Sequence, residues 1–337
     1  MAKMGPLYTR RGSGIRICLA TLISLSSGCS SDHRALTAPK VAGAGFGTTW
    51  DIFPLRQDSP AWSSQGQIAY RDNGVICVDQ HGAYSTDSSL TGLWILNPQS
   101  SAKHRLLPYG EDPSWSPDGR RLTFEASGQI FVINADGSGL SQLTHRGANF
   151  YPCFDYGGNE IAYDSDGGSD LNPYSIWAMS AADGSNQRIL CNLTWARMAS
   201  MRPRGSGLAF IAAGDSGTSG LEVWTADSLC IRTRLTYGGG HNATPRYMPS
   251  GRSIAFSSQS NIGGLPQIWV MNADGNGPRQ LTSLGGVSPS WSANGDSLVY
   301  VRYDPFENTP DRNVLWVMDV ATGAGHQLLS QWPQQCP

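Results

Sequence analysis

The stretch PSWSPDGRRLTFEASGQIFVINADGSGLSQLT, from Pro113 to Thr144, decides the fold. A short approach strand leads to a Gly turn, and the apolar-alternating strand RLTF follows it. The next strand, QIFVIN, is centred on Phe131, and a second Gly turn leads to a short strand that ends in Leu-Thr. Period-two alternation between turns rich in Asp, Asn and Gly is typical of antiparallel hairpins. The stretch therefore predicts a four-stranded antiparallel unit.

The same pattern recurs along the chain. A second full copy starts at Thr244, and PSWSANGDSLVYV from Pro289 opens another. The aromatic residue of the central strand recurs at separations of 37, 46, 47, 45 and 47 residues, at Trp94, Phe131, Trp177, Trp224, Trp269 and Trp316. This is the period of a four-stranded propeller blade. We therefore predict an all-β fold, a six-bladed β-propeller of four-stranded antiparallel blades over residues 48–337, with these aromatic side chains packed between blades.

Short motifs within the copies carry a family resemblance. They are WSPDG at Trp115–Gly119, NADG at Asn134–Gly137 and Asn272–Gly275, and the closing QLT at Gln142–Thr144 and Gln280–Thr282. Over about residues 50–330 the chain resembles the WD40-like (PD40) propeller repeats of TolB and its relatives. TolB carries an α/β domain ahead of its propeller, and about twenty residues are available for one here. The resemblance thus implies a TolB-like propeller without the N-terminal domain, and TolB's own role is not transferred.

The N-terminus has the features of an export signal. Four basic residues and no acidic one precede a nine-residue apolar run, Ile17–Leu25. The following LSSGCSSD resembles a lipobox, although Ser26 stands where lipoproteins usually carry Leu, Val or Ile. We predict a signal peptide over residues 1–28, a lipidated Cys29 and a flexible tether over 29–47. Ordinary cleavage, with Cys29 free or paired, and an uncleaved anchor stay open as alternatives. Ser30 after the cysteine points to the outer membrane, so we expect an exported protein, periplasmic or anchored to the outer membrane.

Charge and motif content exclude several classes of function. Without residues 1–28 the chain has 20 basic and 26 acidic residues, a formal net charge of −6, which argues against nucleic acid as a partner. The six histidines show no metal-binding spacing, and no GxSxG nucleophile elbow is present. We therefore predict no catalytic residue, cofactor or metal site. Contact with a membrane is expected only through the lipid anchor at Cys29.

Five cysteines remain after the signal and the lipid site, namely Cys77, Cys153, Cys191, Cys230 and Cys336. Their pairing is left open, although an odd number leaves at least one thiol unpaired. Turn formation is the predicted role of four aspartates in Gly turns, Asp118, Asp136, Asp183 and Asp274. The segment Trp50–Gln57 resembles a closing strand and is interpreted as completing or flanking the last blade.

Loops of unequal length suggest which face binds. The two middle strands of the blade from Pro113 are joined by EASG alone, whereas other blades insert longer polar segments at the same joint. Such inserts fall on one face, which becomes the candidate recognition face. The candidate binding residues in these loops are Asp164, Asp166, Asp170, Asn172, Tyr303, Asp304, Phe306 and Asp311. The prediction is a protein- or glycan-binding scaffold of the bacterial cell envelope, and a propeller-type lyase or glycan hydrolase with a central-channel site is the alternative.

Overall fold

The computed structural model describes residues 51–54, 57–78, 84–87, 90–168, 174–191, 196–214, 220–238, 240–259, 264–303 and 313–329. Cys29, residues 169–173 and residues 304–312 lie outside these ranges, and so do the predictions made for them. The described part of the chain holds no helix that is long and apolar enough to cross a membrane.

The first third of the chain carries β1 (Asp51–Pro54), β2 (Gln57–Trp62), β3 (Ile68–Asp72), β4 (Val75–Val78), β5 (Tyr84–Asp87), β6 (Gly92–Leu96) and β7 (Lys103–Leu107). The next strands are β8 (Glu111–Trp115), β9 (Arg121–Ala126), β10 (Gln129–Asn134), β11 (Ser141–Gln142), β12 (Asn149–Phe154), β13 (Glu160–Ser165), β14 (Ser175–Ser180) and β15 (Arg188–Cys191). The last are β16 (Arg197–Met201), β17 (Gly207–Ala213), β18 (Leu221–Asp227), β19 (Arg232–Arg234), β20 (His241–Tyr247), β21 (Ser253–Gln259), β22 (Gln267–Asn272), β23 (Arg279–Gln280), β24 (Val287–Trp291), β25 (Ser297–Tyr303), β26 (Asn313–Asp319) and β27 (Gly325–Gln327).

Successive strands pair into four-stranded antiparallel sheets, which confirms the predicted all-β class. We number the sheets along the chain: sheet 1 is β2-β3-β6-β7, sheet 2 is β8 to β11, sheet 3 is β12 to β15, sheet 4 is β16 to β19, sheet 5 is β20 to β23 and sheet 6 is β24 to β27. Sheets 4 and 5 are joined by one parallel bridge between Leu221 and His241. The Asn242 side chain adds to this junction by donating to the Leu221 carbonyl at 2.8 Å.

The interpretation of Trp50–Gln57 as a closing strand of the last blade is wrong. Strand β1 pairs antiparallel with β4, which lies between the second and third strands of sheet 1. With β5 it forms a separate three-stranded sheet, while the last sheet draws all four of its strands from residues 287–327. Strand β1 thus pairs with the side of β4 that β5 leaves open, and this pairing satisfies backbone groups on both strands.

The recurring aromatic residues of the third strands lie opposite a second aromatic residue. The cross-strand pairs are Tyr70–Trp94, Phe124–Phe131, Tyr163–Trp177, Phe210–Trp224, Phe256–Trp269 and Tyr300–Trp316. The second-strand member of each pair is buried, whereas most of the third-strand members are half-buried. Directly opposed residues share one face of an antiparallel sheet and contribute about 0.2–1 kcal/mol per pair.

Six apolar clusters surround these pairs, and each joins neighbouring sheets. Leu93 and Ile95 of sheet 1, for example, pack with Phe124 of sheet 2. The cluster that contains Ile68 and Tyr70 of sheet 1 also contains Val299, Val301 and Leu315 of sheet 6. The first and last sheets are therefore in contact, and the predicted packing of the repeated aromatic residues between sheets is confirmed.

Candidate functional site

The first strand of each sheet forms the wall of a central channel. These inner strands, β2, β8, β12, β16, β20 and β24, all line one cavity of about 170 Å³. Hydrogen bonds connect neighbouring inner strands, as when the Trp62 amide donates to Ser290 Oγ at 2.9 Å between β2 and β24. The Tyr247 amide likewise donates to Ser200 Oγ at 3.1 Å between β20 and β16. The channel wall is thus shared by all six sheets.

Every inner strand is interrupted by a β-bulge at the same position. The pairing register shifts there in all six sheets, for example between Asp58 and Ala61 in sheet 1. One non-glycine residue at each bulge has a left-handed φ of 47–58°; the six are Ser59, Asp112, Tyr151, Met198, Thr244 and Ser288. Such backbone conformations cost on the order of 1–3 kcal/mol each and persist only where the surrounding structure imposes them.

Proline follows the left-handed residue in five of the six strands, at Pro60, Pro113, Pro152, Pro245 and Pro289, and Ala199 follows it in the sixth. Proline lacks an amide hydrogen, so it fits a strand position where the hydrogen-bond ladder is broken. The recurring proline two residues before the final aromatic of the inner strand is the sequence signal for this bulge. Sequence reasoning used PSW only as a repeat marker and missed its role in shaping the channel.

One acidic residue lies on the channel wall. Ser59 Oγ donates to Asp112 Oδ1 at 2.6 Å across the contact between β2 and β8. Burial raises the pKa of the Asp112 carboxyl, and the Ser59 hydrogen bond and the charge of Arg246 act in the opposite direction. The Asp112 side chain therefore keeps its proton to a higher pH than an exposed aspartate does.

A cationic and a thiol side chain line the same cavity. Arg246 Nη1 donates to the Pro245 carbonyl at 3.0 Å, and its guanidinium forms no ion pair with a carboxylate of the described residues. Cys153 is a free thiol whose pKa burial raises to about 11. A thiol with this pKa is protonated at neutral pH and is therefore a weak nucleophile. Cys230, by contrast, is disulfide-bonded.

A second buried carboxylate lies where sheets 3 and 4 meet. Both oxygens of Asp164 accept from the Met198 backbone amide at 3.0 Å, and the Arg197 Nε lies 3.6 Å from Asp164 Oδ2. Burial raises the pKa of Asp164 to about 7, although Arg197 and the Met198 amide lower it. Asp164 thus fixes the left-handed residue of the neighbouring inner strand.

Aromatic rings surround Arg197 at the end of the sheets where the second and third strands are joined, which we call the loop end. The guanidinium carbon of Arg197 lies 4.6 Å from the ring centre of Tyr174 and 5.7 Å from that of Tyr151. Phe150 packs on Tyr174 with ring centres 5.8 Å apart. We call Phe150, Tyr151, Tyr174 and Arg197 the aromatic cluster; all four are half-buried. Sequence reasoning did not single out any of them.

The structure corrects the placement of Asp164, which was expected in a solvated loop. Asp164 lies inside β13 and is fully buried, because its carboxylate serves an amide of the next sheet. Asp166 does follow the strand, and its Oδ1 accepts from the Gly168 amide at 2.8 Å, as a turn residue does, and from the more distant Ala148 amide at 3.0 Å. Tyr303 ends β25 and pairs with Asn313, but its side chain lies outside the description. Five further candidates lie outside the described residues: Asp170, Asn172, Asp304, Phe306 and Asp311.

The opposite end of the sheets carries the Gly turns, and the four turn aspartates have the predicted role. Asp118 Oδ1, for example, accepts from Ser116 Oγ at 2.5 Å and from the Arg120 amide at 3.1 Å. Local hydrogen bonds of this kind lower the pKa of all four carboxyls, Asp118, Asp136, Asp183 and Asp274. Within the described residues, no group of three His, Cys, Asp or Glu side chains is placed to hold a metal ion.

Known proteins with this fold include TolB. A structure assigned to TolB from Agrobacterium tumefaciens matches 70% of this chain and 87% of its own with a TM-score of 0.61 and 24% identity. TolB from Acinetobacter baumannii matches 82% of this chain and 78% of its own with a TM-score of 0.59 and 16% identity. The chain therefore shares its β-propeller fold with these TolB structures.

Sequence comparison finds a further similar protein. An uncharacterized protein of Agrobacterium fabrum is 27% identical over 221 residues, which is 63% of this propeller chain and 73% of that protein. No family model matches. A propeller enzyme, oligogalacturonate lyase from Vibrio parahaemolyticus, matches 80% of this chain and 91% of its own with a TM-score of 0.50 and 12% identity. At these identities the structural matches establish the propeller fold alone.

Proposed function

We propose that the chain is an exported, six-bladed propeller that acts as a binding scaffold in the bacterial cell envelope and captures a protein or glycan at its loop end. The observation that carries this proposal is the aromatic cluster, in which Arg197 is held between the rings of Tyr151 and Tyr174. Half-buried tyrosines and an arginine are the side chains most enriched at binding surfaces, because they offer apolar area together with a polar group.

Six blades are supported by the way the sheets pack. Each of the six apolar clusters joins neighbouring sheets, and one of them joins sheet 6 to sheet 1. A ring closed by side-chain packing leaves only short sheet edges exposed, which is how propellers avoid edge pairing. The inner strand of each sheet also carries a left-handed residue at the same bulge, so the six sheets repeat one structural unit.

The loop end is favoured over the turn end because its strand connections are irregular, whereas those of the turn end repeat. The turn aspartates accept hydrogen bonds from residues within a few positions of themselves. At the loop end the joints between second and third strands vary in length, and such loops are where recognition residues concentrate. Residues 169–173 and 304–312 belong to these joints.

We propose further that the chain does no covalent chemistry of its own. The Cys153 thiol is protonated at neutral pH, since its pKa is raised to about 11. The alternative, a lyase or glycan hydrolase, is favoured by one observation, the raised pKa of Asp112 on the channel wall. Glycoside hydrolysis generally needs two carboxyl groups flanking the bond, and Asp112 is the only carboxyl among the described residues that line the cavity. Release of reducing sugar or of an unsaturated product from polysaccharide by the native protein, and not by Asp112→Asn, would favour the enzyme.

Export and lipidation of Cys29 belong to the same proposal and have their own test. A charged n-region, a short apolar run and small residues align before Cys29 in the sequence. Mass spectrometry of the mature N-terminus should find a diacylglyceryl cysteine, and Cys29→Ser should release the protein from membranes. An unmodified terminus at any other residue would contradict the proposal.

Binding is tested with two tyrosines at opposite ends of the sheets. Tyr174 is half-buried in the aromatic cluster, whereas Tyr156 is 49% exposed beyond β12 at the turn end. Immobilised native protein should retain purified peptidoglycan fragments or solubilised envelope proteins, and Tyr174→Ala should weaken retention about tenfold. Tyr156→Ala is the matched control and should leave retention unchanged. If Tyr156→Ala abolishes retention and Tyr174→Ala does not, the proposed face is wrong.

A further inference from the structure

The charged groups of the channel interior are separate from the aromatic cluster and suggest a second ligand. Asp112 is on β8 and Arg246 on β20, and both line the 170 Å³ cavity. Around the ring of inner strands, β12 and β16 lie between β8 and β20 on one side, and β2 and β24 lie between them on the other. The carboxyl and the guanidinium therefore face the cavity from opposite walls.

Neither charged group is neutralised by the other. The two side chains form no ion pair, although the charge of Arg246 acts to lower the pKa of Asp112. The described hydrogen bonds of Asp112 and of the Arg246 side chain are those with Ser59 Oγ and with the Pro245 carbonyl. A guanidinium has five N–H donors, so most of the Arg246 donors remain available to a ligand.

We propose that the channel binds a small zwitterion of the amino-acid class, with the ligand carboxylate on Arg246 and the ligand ammonium on Asp112. A lone anion would satisfy only the arginine, and a lone cation only the aspartate. A ligand with both charges pairs each wall group with an opposite charge, and charge-assisted hydrogen bonds are the strongest that a neutral-pH site offers.

The cavity size and its remaining lining fit such a ligand. A protein cavity of about 150 Å³ accommodates benzene, so a cavity of about 170 Å³ has room for a short amino acid. Hydroxyl groups of Ser114 and Ser288 line the same cavity and can donate or accept, whichever the ligand requires. Apolar contacts for a methylene chain come from Pro60, Pro113 and Pro289.

The first experiment uses the native full-length protein and needs no variant. Isothermal titration with glycine, β-alanine, 4-aminobutanoate and 6-aminohexanoate measures which charge separation fits the channel. The matched single-charge analogues of the best ligand, such as hexanoate and hexylamine for 6-aminohexanoate, should bind about tenfold more weakly or worse. Equal binding by the carboxylate alone would overturn the proposal in favour of a simple anion site, and failure of every zwitterion to bind would overturn it altogether.

The position of the bound ligand is tested with variants of the two charged residues and with the reactivity of the Cys153 thiol. Arg246→Gln and Asp112→Asn should each lower affinity about tenfold, whereas Arg120→Gln and Asp136→Asn, which remove exposed charges, should not. Thermal unfolding checks that the variants fold, and Arg246→Lys, which keeps the charge, should retain binding within a few-fold.

The bound zwitterion should slow modification of Cys153 by methyl methanethiosulfonate, because Cys153 lines the cavity. The extent of modification is read from the mass of the peptide that contains Cys153. Unchanged modification at saturating ligand would place the ligand elsewhere and overturn the proposal. Loss of this site would leave retention through Tyr174 untouched, so the two proposals fail separately.

Discussion

The pKa values of two groups of aspartates in this propeller are shifted in opposite directions. At the turn end, Asp118 and its counterparts accept short-range hydrogen bonds, which lower their pKa values. In the channel and at the loop end, Asp112 and Asp164 are removed from water, and burial raises their pKa values. The turn aspartates stabilise the strand connections, whereas the buried ones join different sheets.

The difference shows that the same residue type can have a structural role at one place in a repeat protein and a candidate functional role at another. A turn aspartate needs only the backbone of its own turn, so it recurs wherever the repeat recurs. A buried aspartate needs partners from another sheet, such as Ser59 for Asp112 and Met198 for Asp164. Such residues break the repeat pattern, and one of them, Asp112, lines the cavity that a ligand could enter.

The largest expected effect is a loss of stability with rising pH caused by Asp164. Its folded pKa of about 7 lies above the ordinary 3.8, so the folded state holds the proton more tightly than the unfolded state. The stabilisation is fully present below about pH 4 and is lost as the pH rises through 7, by about 4 kcal/mol. Arg197 and Asp112 are the charged groups that act on this titration.

Urea unfolding of the native protein and of Asp164→Asn at pH 4.5 and 7.5 measures this contribution. The asparagine stays neutral at both pH values. The unfolding free energy of Asp164→Asn relative to that of the native protein should therefore be higher at pH 7.5 than at pH 4.5. A difference that is the same at both pH values would show that Asp164 does not titrate in this range.

The second effect concerns the backbone amide that Asp164 binds. Asp164→Ala removes the acceptor of the buried Met198 amide and should cost about 1–3 kcal/mol more than Asp164→Asn, whose amide oxygen can still accept. Measurements at pH 5 keep the native carboxyl largely protonated and isolate the hydrogen bond. Equal stability of the two variants would mean that the Met198 amide finds another acceptor.

The third effect sharpens the comparison in the channel. Ser59→Ala removes the hydroxyl that donates to Asp112 and should raise the pKa of this carboxyl further, because that hydrogen bond lowers it. The expected cost in stability is about 1 kcal/mol. Carbon-detected NMR titration of the carboxyl measures the pKa, and Ser114→Ala, in the same cavity, is the control that should leave it in place.

The fold was predictable because its determinants are local and repeated. The apolar alternation of the strands and the Gly turns each involve only a few neighbouring residues. The regular spacing of Trp177, Trp224 and Trp269 shows that these local patterns repeat. The same holds for the turn role of Asp118. The strand β1 was misplaced because its partner, β4, belongs to the insert between the second and third strands of sheet 1, and the sequence does not show that this insert forms strands.

For the candidate site, the sequence predicted which end of the sheets carries it but not which residues form it. Loop-length differences indicate the loop end, but the sequence gives no sign that Arg246 and Asp112 face one cavity, since they lie 134 residues apart. Asp164 was mistaken for a loop residue because DSDGG reads as a turn, while its role depends on Met198 in the next sheet. The proline-marked bulge was available in the sequence at five positions and could have identified the channel wall.

The smallest expected effect belongs to the turn end, where the chain itself contains the matched comparison. In the SPDG turn, Ser116 Oγ and the Arg120 amide donate to Asp118 Oδ1. In the SANG turn, Ser292 Oγ and the Asp296 amide donate to Asn294 Oδ1 at 2.7 and 3.2 Å. Since asparagine serves the same turn in the last sheet, Asp118→Asn should change stability by less than about 0.5 kcal/mol at pH 7. The lowered pKa of Asp118 makes its stabilisation present above the ordinary pKa and lost as the pH falls, which is the opposite sign to Asp164. Urea unfolding near pH 3 should therefore narrow or reverse the small gap between the two proteins, and a large loss at pH 7 would show that the charge of Asp118, and not its geometry, supports the turn.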